Sequence, residues 1–317
     1  MRKKFYLTLD TETATLPFVN DICTTPKEKQ TIATAKPLVY DIGWTITDTQ
    51  GRTIKEENYL VQETFFVPNV FNTAYYKNKR PIYMEMYNKG LIKLACWNDI
   101  INILLQDLRA VNLTTAYNAY FDFKKAIPFT EEYIKNLYSL NYNEWEKQQK
   151  LSCKMLLNKT NIAKNGKKLT PIFELRGEEF PIVDLWCLSC DRLLNNSRYK
   201  NYCLENNLLT TSVQFFKSSA ETCFQYCAKN YDFTEDHTAL SDAKIEAYIL
   251  SKILKKGKIE PHIEAFPFKK LGSPIEYVKK RKKYLDNVKT TLGKYMETID
   301  EESRYYARLE KMYTNLN

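Results

Sequence analysis

The chain has 317 residues, of which 44% are hydrophobic, and its formal net charge is +9. This length and composition predict a globular protein with one large domain, or one domain with an appendage. No run approaches the roughly 18 consecutive apolar residues of a membrane span, and the amino end has no signal-peptide core, so we expect no membrane partner and a cytoplasmic location. The positive charge favours an anionic partner, with nucleic acid as the first candidate.

Three strand-like runs near the amino end predict an antiparallel start to a sheet. They cover residues 5–10, 38–47 and 53–61, and a polar turn with Gly51 separates the last two. Helices are predicted from a cap at Asn98 and over 218–229 and 238–255, and strands over 113–117 and 180–185. Residues 1–256 are therefore predicted as an α/β domain with a mixed sheet flanked by helices.

Two inserts interrupt this domain. Residues 17–37 are predicted as a polar, threonine-rich loop. The second insert lies between 141 and 180, and it is either a clamp for a phosphate backbone or a solvated loop. Its lysines are Lys147, Lys150, Lys154, Lys159, Lys164, Lys167 and Lys168.

Residues 257–317 are predicted as a linker followed by a basic helical extension. The basic run Lys279, Lys280, Arg281, Lys282 and Lys283 is either a phosphate-binding surface or a solvated helix start. Apolar residues then follow a heptad pattern, which favours packing on the body or on a partner such as a polymerase over self-association. Arg281 and Glu302 interrupt the pattern. Its members are Val278, Leu285, Val288, Leu292, Tyr295, Ile299, Tyr306, Leu309, Tyr313 and Leu316.

Five of the eight cysteines form a cluster along the sequence, which raises the question of a zinc site. Cys187 and Cys190 have CxxC spacing, and Cys203, Cys223 and Cys227 follow. The last two lie one helical turn apart in an apolar pattern, whereas zinc usually needs two close ligand pairs. Buried, reduced core cysteines are the favoured interpretation.

Three acidic segments follow strands or precede a helix. Asp10 and Glu12, at i and i+2, share one side of an extended chain and can reach one metal ion. Asp122 stands where a strand gives way to a helix, and Asp242 follows His237 by five residues at the start of a long apolar helix. Each segment alone is a weak signal, and the three together carry more weight.

In this order, Asp-x-Glu, Asn-x-x-x-Asp and His-x-x-x-x-Asp-Ala resemble the DEDDh family of 3′→5′ exonucleases, over residues 5 to about 255. The resemblance implies a ribonuclease H-like fold and two Mg²⁺ or Mn²⁺ ions held by Asp10, Glu12, Asp122 and Asp242, with His237 as the base. The sister DEDDy class has a tyrosine where this chain has Thr238, so the histidine branch is the better match.

The resemblance implies release of 5′-mononucleotides from the 3′ ends of single-stranded DNA or RNA. Thr11, Thr13, Asn118 and Tyr120 are then expected to contact nucleic acid, with Phe121 in the core. The sequence leaves open the choice between DNA and RNA, and also a catalytically silent nucleic-acid-binding or polymerase-docking module on the same fold. Abundant Lys, Asn, Ile and Tyr suit an AT-rich genome, such as that of a phage in a bacterial host.

Overall fold

A computed structural model describes residues 4–139, 141–158, 169–210, 214–292 and 296–314. A seven-stranded sheet lies at its centre, in the order β4-β3-β2-β1-β5-β7-β6. The strands are β1 (Phe5–Ala14), β2 (Leu38–Asp48), β3 (Thr53–Val61), β4 (Lys93–Ala95), β5 (Leu113–Ala116), β6 (Ile172–Leu175) and β7 (Glu178–Asp184).

The sheet is mixed, as the sequence predicted. β1 pairs with β2 and β2 with β3 in antiparallel register, which confirms the expected antiparallel start. β5 then adds to β1, and β7 to β5, in parallel. β2 is buried along its whole length because it lies between β1 and β3 with helices on both faces. The short strands β4 and β6 were not predicted.

Helices flank both faces of the sheet. In chain order they are α1 (Val19–Ile22), α2 (Pro26–Ala35), α3 (Gln62–Phe65), α4 (Pro68–Phe71), α5 (Arg80–Asn88), α6 (Trp97–Ala110), α7 (Ala119–Phe121), α8 (Ile127–Tyr138), α9 (Tyr142–Asn158), α10 (Leu185–Ser189), α11 (Ser197–Glu205), α12 (Ala220–Ala228), α13 (Ala239–Leu254), α14 (Pro274–Leu292) and α15 (Met296–Thr314).

The alternation of β1 divides the core into two hydrophobic clusters. Leu7 and Leu9 face a cluster that includes α6, α8 and α9. Tyr6, on the opposite face, belongs to a second cluster with α10, α11 and α13. The even-numbered side of β1 is therefore the side on which α13 packs, and Asp10 and Glu12 share that side.

The first insert is helical, so its prediction as a loop was wrong. Thr25 and Glu28 form a capping box: the Thr25 hydroxyl accepts a hydrogen bond from the Glu28 amide at 3.2 Å, and the Glu28 carboxylate accepts one from the Thr25 amide at 2.9 Å. Pro26 occupies the first helical position, where its missing N–H costs nothing. These three residues explain why α2 begins in a segment rich in threonine.

The second insert is also partly helical. α9 buries Trp145, Gln149 and Cys153 against the body, so it is amphipathic. The many lysines of this segment had made a loop the expected structure. Lys150 forms a salt bridge with Glu146 at 2.7 Å. Four predicted clamp residues, Lys159, Lys164, Lys167 and Lys168, lie outside the described residues. The predicted cap at Asn98 was also wrong, because α6 begins at Trp97 and the cap position is Cys96, which makes no side-chain capping bond.

The carboxyl-terminal extension is a pair of helices that pack on the body. α14 and α15 contact each other, and the Arg281 guanidinium donates to the Glu302 carboxylate at 3.0 Å, so the two residues that interrupt the heptad pattern pair with each other. Of the two alternatives, packing on the body or on a partner, the described part of the pattern shows the first: four of its residues belong to the second cluster, which are Val278, Leu285, Tyr306 and Leu309. The side chains of Val288, Leu292, Tyr295, Ile299, Tyr313 and Leu316 lie outside the described part of the chain.

The segment that precedes the extension pairs with the sheet. The amide of His262 donates to the carbonyl of Ile182 at 3.0 Å, and the amide of Asp184 donates to the carbonyl of His262 at 2.8 Å. Residues beyond the predicted domain boundary at 256 therefore contact the carboxyl end of β7 directly.

Four cysteines of the sequence cluster are buried in the second hydrophobic cluster or beside it, as core residues: Cys187, Cys190, Cys203 and Cys223. Cys227 is half-buried. Within the described ranges, none of the helices has both the length and the hydropathy needed to span a membrane.

Candidate active site

Two carboxylates project from β1 next to an irregularity in the sheet. Asp10 pairs with Gly43 of β2, and Glu12 pairs with Asp41. The register shifts immediately after Glu12, and such bulges redirect side chains at the edge of a site. Sequence analysis ended this strand at Asp10, whereas in the structure both acids lie inside a strand that continues to Ala14.

Gly43 allows α13 to approach the sheet beside Asp10. A Cβ atom built on Gly43 would lie 2.3 Å from the amide nitrogen of Leu240 and 2.5 Å from its Cα. Both atoms belong to the backbone at the start of α13, so only glycine leaves room for the helix here. The approach carries Asp242, in the first turn of α13, toward the acids of β1.

Asp122 enters the site from the opposite layer, on a π-helical turn (Asp122–Ala126) between α7 and α8. Such turns recur at functional sites. Its carboxylate is 2% exposed and accepts a hydrogen bond from the Thr11 hydroxyl at 2.6 Å. Asn118, in the cap position of α7, has a left-handed backbone with φ of 69°. Its backbone amide donates a hydrogen bond to the Asp184 carboxylate at 3.1 Å.

Glu246 joins the cluster one turn after Asp242. The spacing i, i+4 places both side chains on one face of α13. Glu246 is 3% exposed, and its carboxylate accepts a hydrogen bond from the amide of Tyr117 at 3.0 Å. Sequence analysis did not include Glu246 among the site residues, although this spacing was a readable signal.

His237 lies at the mouth of the cluster, just before α13. Its Nδ1 atom is 3.9 Å from a carboxylate oxygen of Asp242 and 3.8 Å from one of Glu235. The Tyr76 ring stacks on the imidazole, with centroids 4.4 Å apart and an interplanar angle of 16°. The Lys79 ammonium lies 4.8 Å from the centre of the Tyr76 ring and donates to the backbone carbonyl of Asp236. The histidine is therefore held between α13 and the segment that precedes α5.

The carboxylates of the cluster raise one another's pKa. Burial raises the pKa of Asp10 well above its usual value, and the charges of Glu246, Asp122, Asp242 and Glu12 raise it further. Burial is also the main reason that the pKa of Asp122 rises to about 7 and that of Asp242 to about 8. The site therefore crowds carboxyl groups whose charged form is disfavoured by burial and by mutual repulsion.

The pKa of His237 moves in the opposite direction. Burial lowers it, and the nearby positive charge of Lys79 lowers it further. A neutral imidazole at neutral pH is the form that can accept a proton. Lys79 also lowers the pKa of Glu12 and Asp242, against the larger effect of burial.

Asp41 is a fully buried carboxylate beside Glu12 that sequence analysis missed. One of its oxygens accepts hydrogen bonds from the Tyr83 hydroxyl and from the amide of Ala239, both at 2.9 Å. These contacts connect β2, α5 and the start of α13. Burial raises the pKa of Asp41 to about 7. Because an apolar-looking strand surrounds Asp41, its spacing gave no signal of this role.

The predicted site residues occupy two regions. Asp10, Glu12, Asp122, Asp242 and His237 come together, and Glu12, His237 and Asp242 offer ligand atoms that lie within 4.8 Å of one another. One oxygen of Asp242 is buried without a hydrogen-bond partner among the described residues. Thr13 and Tyr120 lie near the cluster along the chain, on the side of α2, and the basic run 279–283 belongs to α14. Nucleic-acid contacts of Thr11, Thr13, Asn118, Tyr120 and the basic run stay predictions.

Comparisons of the chain with protein-family models, with curated proteins and with solved structures gave no match.

Proposed function

We propose that the chain is a 3′→5′ exonuclease of the DEDDh type, with a ribonuclease H-like fold, that releases 5′-mononucleotides from single-stranded DNA or RNA. One observation carries the proposal: Asp10, Glu12, Asp122, Asp242 and His237 come from distant parts of the sequence and converge beside β1. Convergence of all five residues is what the sequence resemblance requires, and chance would scatter them.

The acidic residues fit a pair of Mg²⁺ or Mn²⁺ ions. Buried carboxylates that repel one another favour hard cations with oxygen ligands, and the unpartnered oxygen of Asp242 is available for such an ion. Asp10, Glu12, Asp122 and Asp242 would hold the two ions. The ions supply charge stabilisation to the attacking and departing oxygens when bound.

His237 acts as the general base. Its lowered pKa leaves the imidazole neutral, so it takes a proton from the attacking water. The water oxygen then forms a bond to the terminal phosphorus as the bond from phosphorus to the 3′ oxygen of the preceding nucleotide breaks. The Tyr76 ring restricts the plane of the imidazole during this transfer.

Degradation of 5′-labelled single strands tests the proposal. Matched DNA and RNA 15-mers are incubated with the protein and Mg²⁺ or Mn²⁺. We expect a ladder that shortens from the 3′ end, no ladder with Asp10→Ala, and a rate about 10²- to 10⁴-fold lower with His237→Ala, the usual contribution of a general base.

The control is Glu205→Ala, since Glu205 is an exposed acid at the end of α11. It should degrade both strands like the wild type. Internal cuts, or a His237→Ala rate equal to the wild-type rate, would contradict the assignment. If the wild type binds the strand but leaves it whole with both metals, the chain is a binding module.

A further inference from the structure

Two cavities lie on adjacent faces of α2, the helix of the first insert. Their volumes are about 680 and 400 Å³, and Gln30 and Thr34 line both. We call the two together the α2 groove. Cavities on both sides of one helix offer an extended surface, which suits an elongated ligand better than a single small molecule.

One end of the α2 groove adjoins the acidic cluster. Thr13, which follows Glu12, and Phe121, which precedes Asp122, both line the larger cavity. Tyr75, which also lines this cavity, contacts the ring of Tyr76, and that ring stacks on His237 at the mouth of the cluster. A strand whose 3′ end reaches the carboxylates of the cluster would therefore have its preceding nucleotides available to the groove.

The charge of the α2 groove is opposite to that of the cluster. Its lining includes Lys29 and Lys77 in the larger cavity and Lys27 and Lys125 in the smaller one, and none of the described residues that line it is Asp or Glu. Lys27, Lys29 and Lys77 are exposed and form no salt bridge with described residues. Unpaired ammonium groups along a groove without acids favour an anionic ligand.

Aromatic and small polar side chains complete the lining. The Tyr75 side chain is 87% exposed at the larger cavity, and its ring contacts only the edge of Tyr76 among described aromatic neighbours, at a centroid distance of 4.8 Å. An exposed ring and exposed lysines that line the same cavity are a combination that binds single strands: the ring stacks on a base and the lysines contact phosphates.

We infer that the α2 groove binds the single-stranded segment upstream of the 3′-terminal nucleotide, with Lys29 and Lys77 on phosphates and Tyr75 on a base. This inference rests on the proposed function, since it names how the same site would hold its substrate. The proposed occupant is a single-stranded polynucleotide. If the groove instead bound a mononucleotide or inorganic phosphate alone, its ligand would belong to a different class.

The test measures binding of fluorescent single strands to protein made inactive by Asp10→Ala. In this background, a Lys29→Glu, Lys77→Glu double variant should raise the Kd for a 15-mer by about 10-fold or more, and should reduce the slope of log Kd against log salt by about 1.4, for two phosphate contacts to a single strand. Tyr75→Ala should raise the Kd by about 5- to 10-fold, and Tyr75→Phe should not, because phenylalanine still stacks. Binding of a trinucleotide should change far less.

Lys255→Glu is the matched control. Lys255 is exposed and lies beyond the far end of α13, about 20 Å from Asp242 along the helix axis. If the double variant binds the 15-mer with the same Kd and salt slope as Lys255→Glu, the groove is not the strand-binding site, whereas degradation by the wild type would still stand. Equal weakening for the trinucleotide and the 15-mer, or competition by mononucleotide or phosphate at the Kd of the 15-mer, would also overturn the inference. Absence of both degradation and binding by the wild type would instead refute the proposed function.

Discussion

At the scale of single residues, Asp242 shows the electrostatic cost of burying several acids together. Its carboxyl is 7% exposed, and burial with neighbouring acids raises its pKa to about 8, from an ordinary value of 3.8. The folded protein therefore holds this proton more tightly than the unfolded chain does. The resulting stability is fully present below about pH 4 and is lost as the pH rises through about 8.

Asp242→Asn should remove this pH dependence because the amide has a similar shape and no charge. Without metal, in EDTA, we expect the free energy of unfolding of the variant to exceed that of the wild type at pH 8 by about 1 to 3 kcal/mol and to match it near pH 4. Mn²⁺ should reverse the order at pH 8, because it stabilises only the complete carboxylate set.

Chemical denaturation at pH 4, 6 and 8 measures these values. Glu205→Gln, at an exposed position, serves as the control and should follow the wild type. A variant that is less stable than the wild type at pH 8 in EDTA would mean that Asp242 is stabilised by a partner in the folded protein, against the direction of its pKa.

Some of the site could be predicted residue by residue and some could not. Asp10 and Glu12 were readable because period-two spacing fixes a shared side of a strand, and Asp242 because an acid opened an apolar helix. Asp41 and Tyr76 gave no such signal, since Asp41 acts through contacts with Tyr83 and the start of α13, and Tyr76 through stacking on His237. Contacts across distant segments have no local pattern.

At the scale of elements, the position of α13 against β2 decides whether the site forms. α13 contacts both β1 and β2, and Gly43 lies under its first turn. Gly43→Ala would push a methyl group against backbone atoms of Leu240, which cannot rotate away. We expect a loss of about 1 to 3 kcal/mol in the free energy of unfolding, and a fall of about 10²-fold in exonuclease rate from misplacement of Asp242.

Thr45→Ala is the control for this substitution. Thr45 lies two residues further along β2 and faces the same side, but the change removes atoms instead of adding them. Denaturation and single-turnover degradation provide the two measurements. An unchanged rate with Gly43→Ala would indicate that the position of α13 is not critical to the chemistry.

Element prediction succeeded where periodicity was long and failed where short signals were overlooked. The long helix α13 was predicted almost at its bounds, from its apolar pattern. α2 was missed although Thr25, Pro26 and Glu28 carry a complete start signal, because its composition suggested a loop. β4, with three residues, is too short for alternation to show, and only pairing with β3 defines it.

At the scale of the whole molecule, the carboxyl-terminal helices belong to the body more closely than their composition indicated. The hydroxyls of Tyr277 and Tyr306 both donate to the side chain of Asn201 on α11, at 2.8 and 2.7 Å. Leu285 is 3% exposed within the second hydrophobic cluster. Heptad spacing predicted the buried apolar residues, but it did not predict that the segment folds back as two helices. Arg281 and Glu302 interrupt the pattern in the sequence, and in the structure they form a pair between α14 and α15.

This arrangement limits how the extension can serve a partner. The body already covers the described apolar residues of the seam, so these residues are not available to a partner, whereas α14 also has an exposed side. Lys279, Lys280 and Lys283 lie on that side. A role of these lysines in binding nucleic acid or a partner stays a prediction, whereas Arg281 already pairs with Glu302.

The packing of the extension predicts that it unfolds together with the body. Leu285→Ala should lower the free energy of unfolding by about 2 to 4 kcal/mol, the usual cost of removing a buried leucine side chain, and the protein should still unfold in one transition. Tyr284→Ala is the control, since the neighbouring Tyr284 is 56% exposed and its loss should cost about 0.5 kcal/mol or less. Calorimetry and denaturant titration measure both. Two separate transitions, with only the smaller one shifted by Leu285→Ala, would show instead that the extension is an independent unit, and removal of α14 and α15 would then leave the body folded.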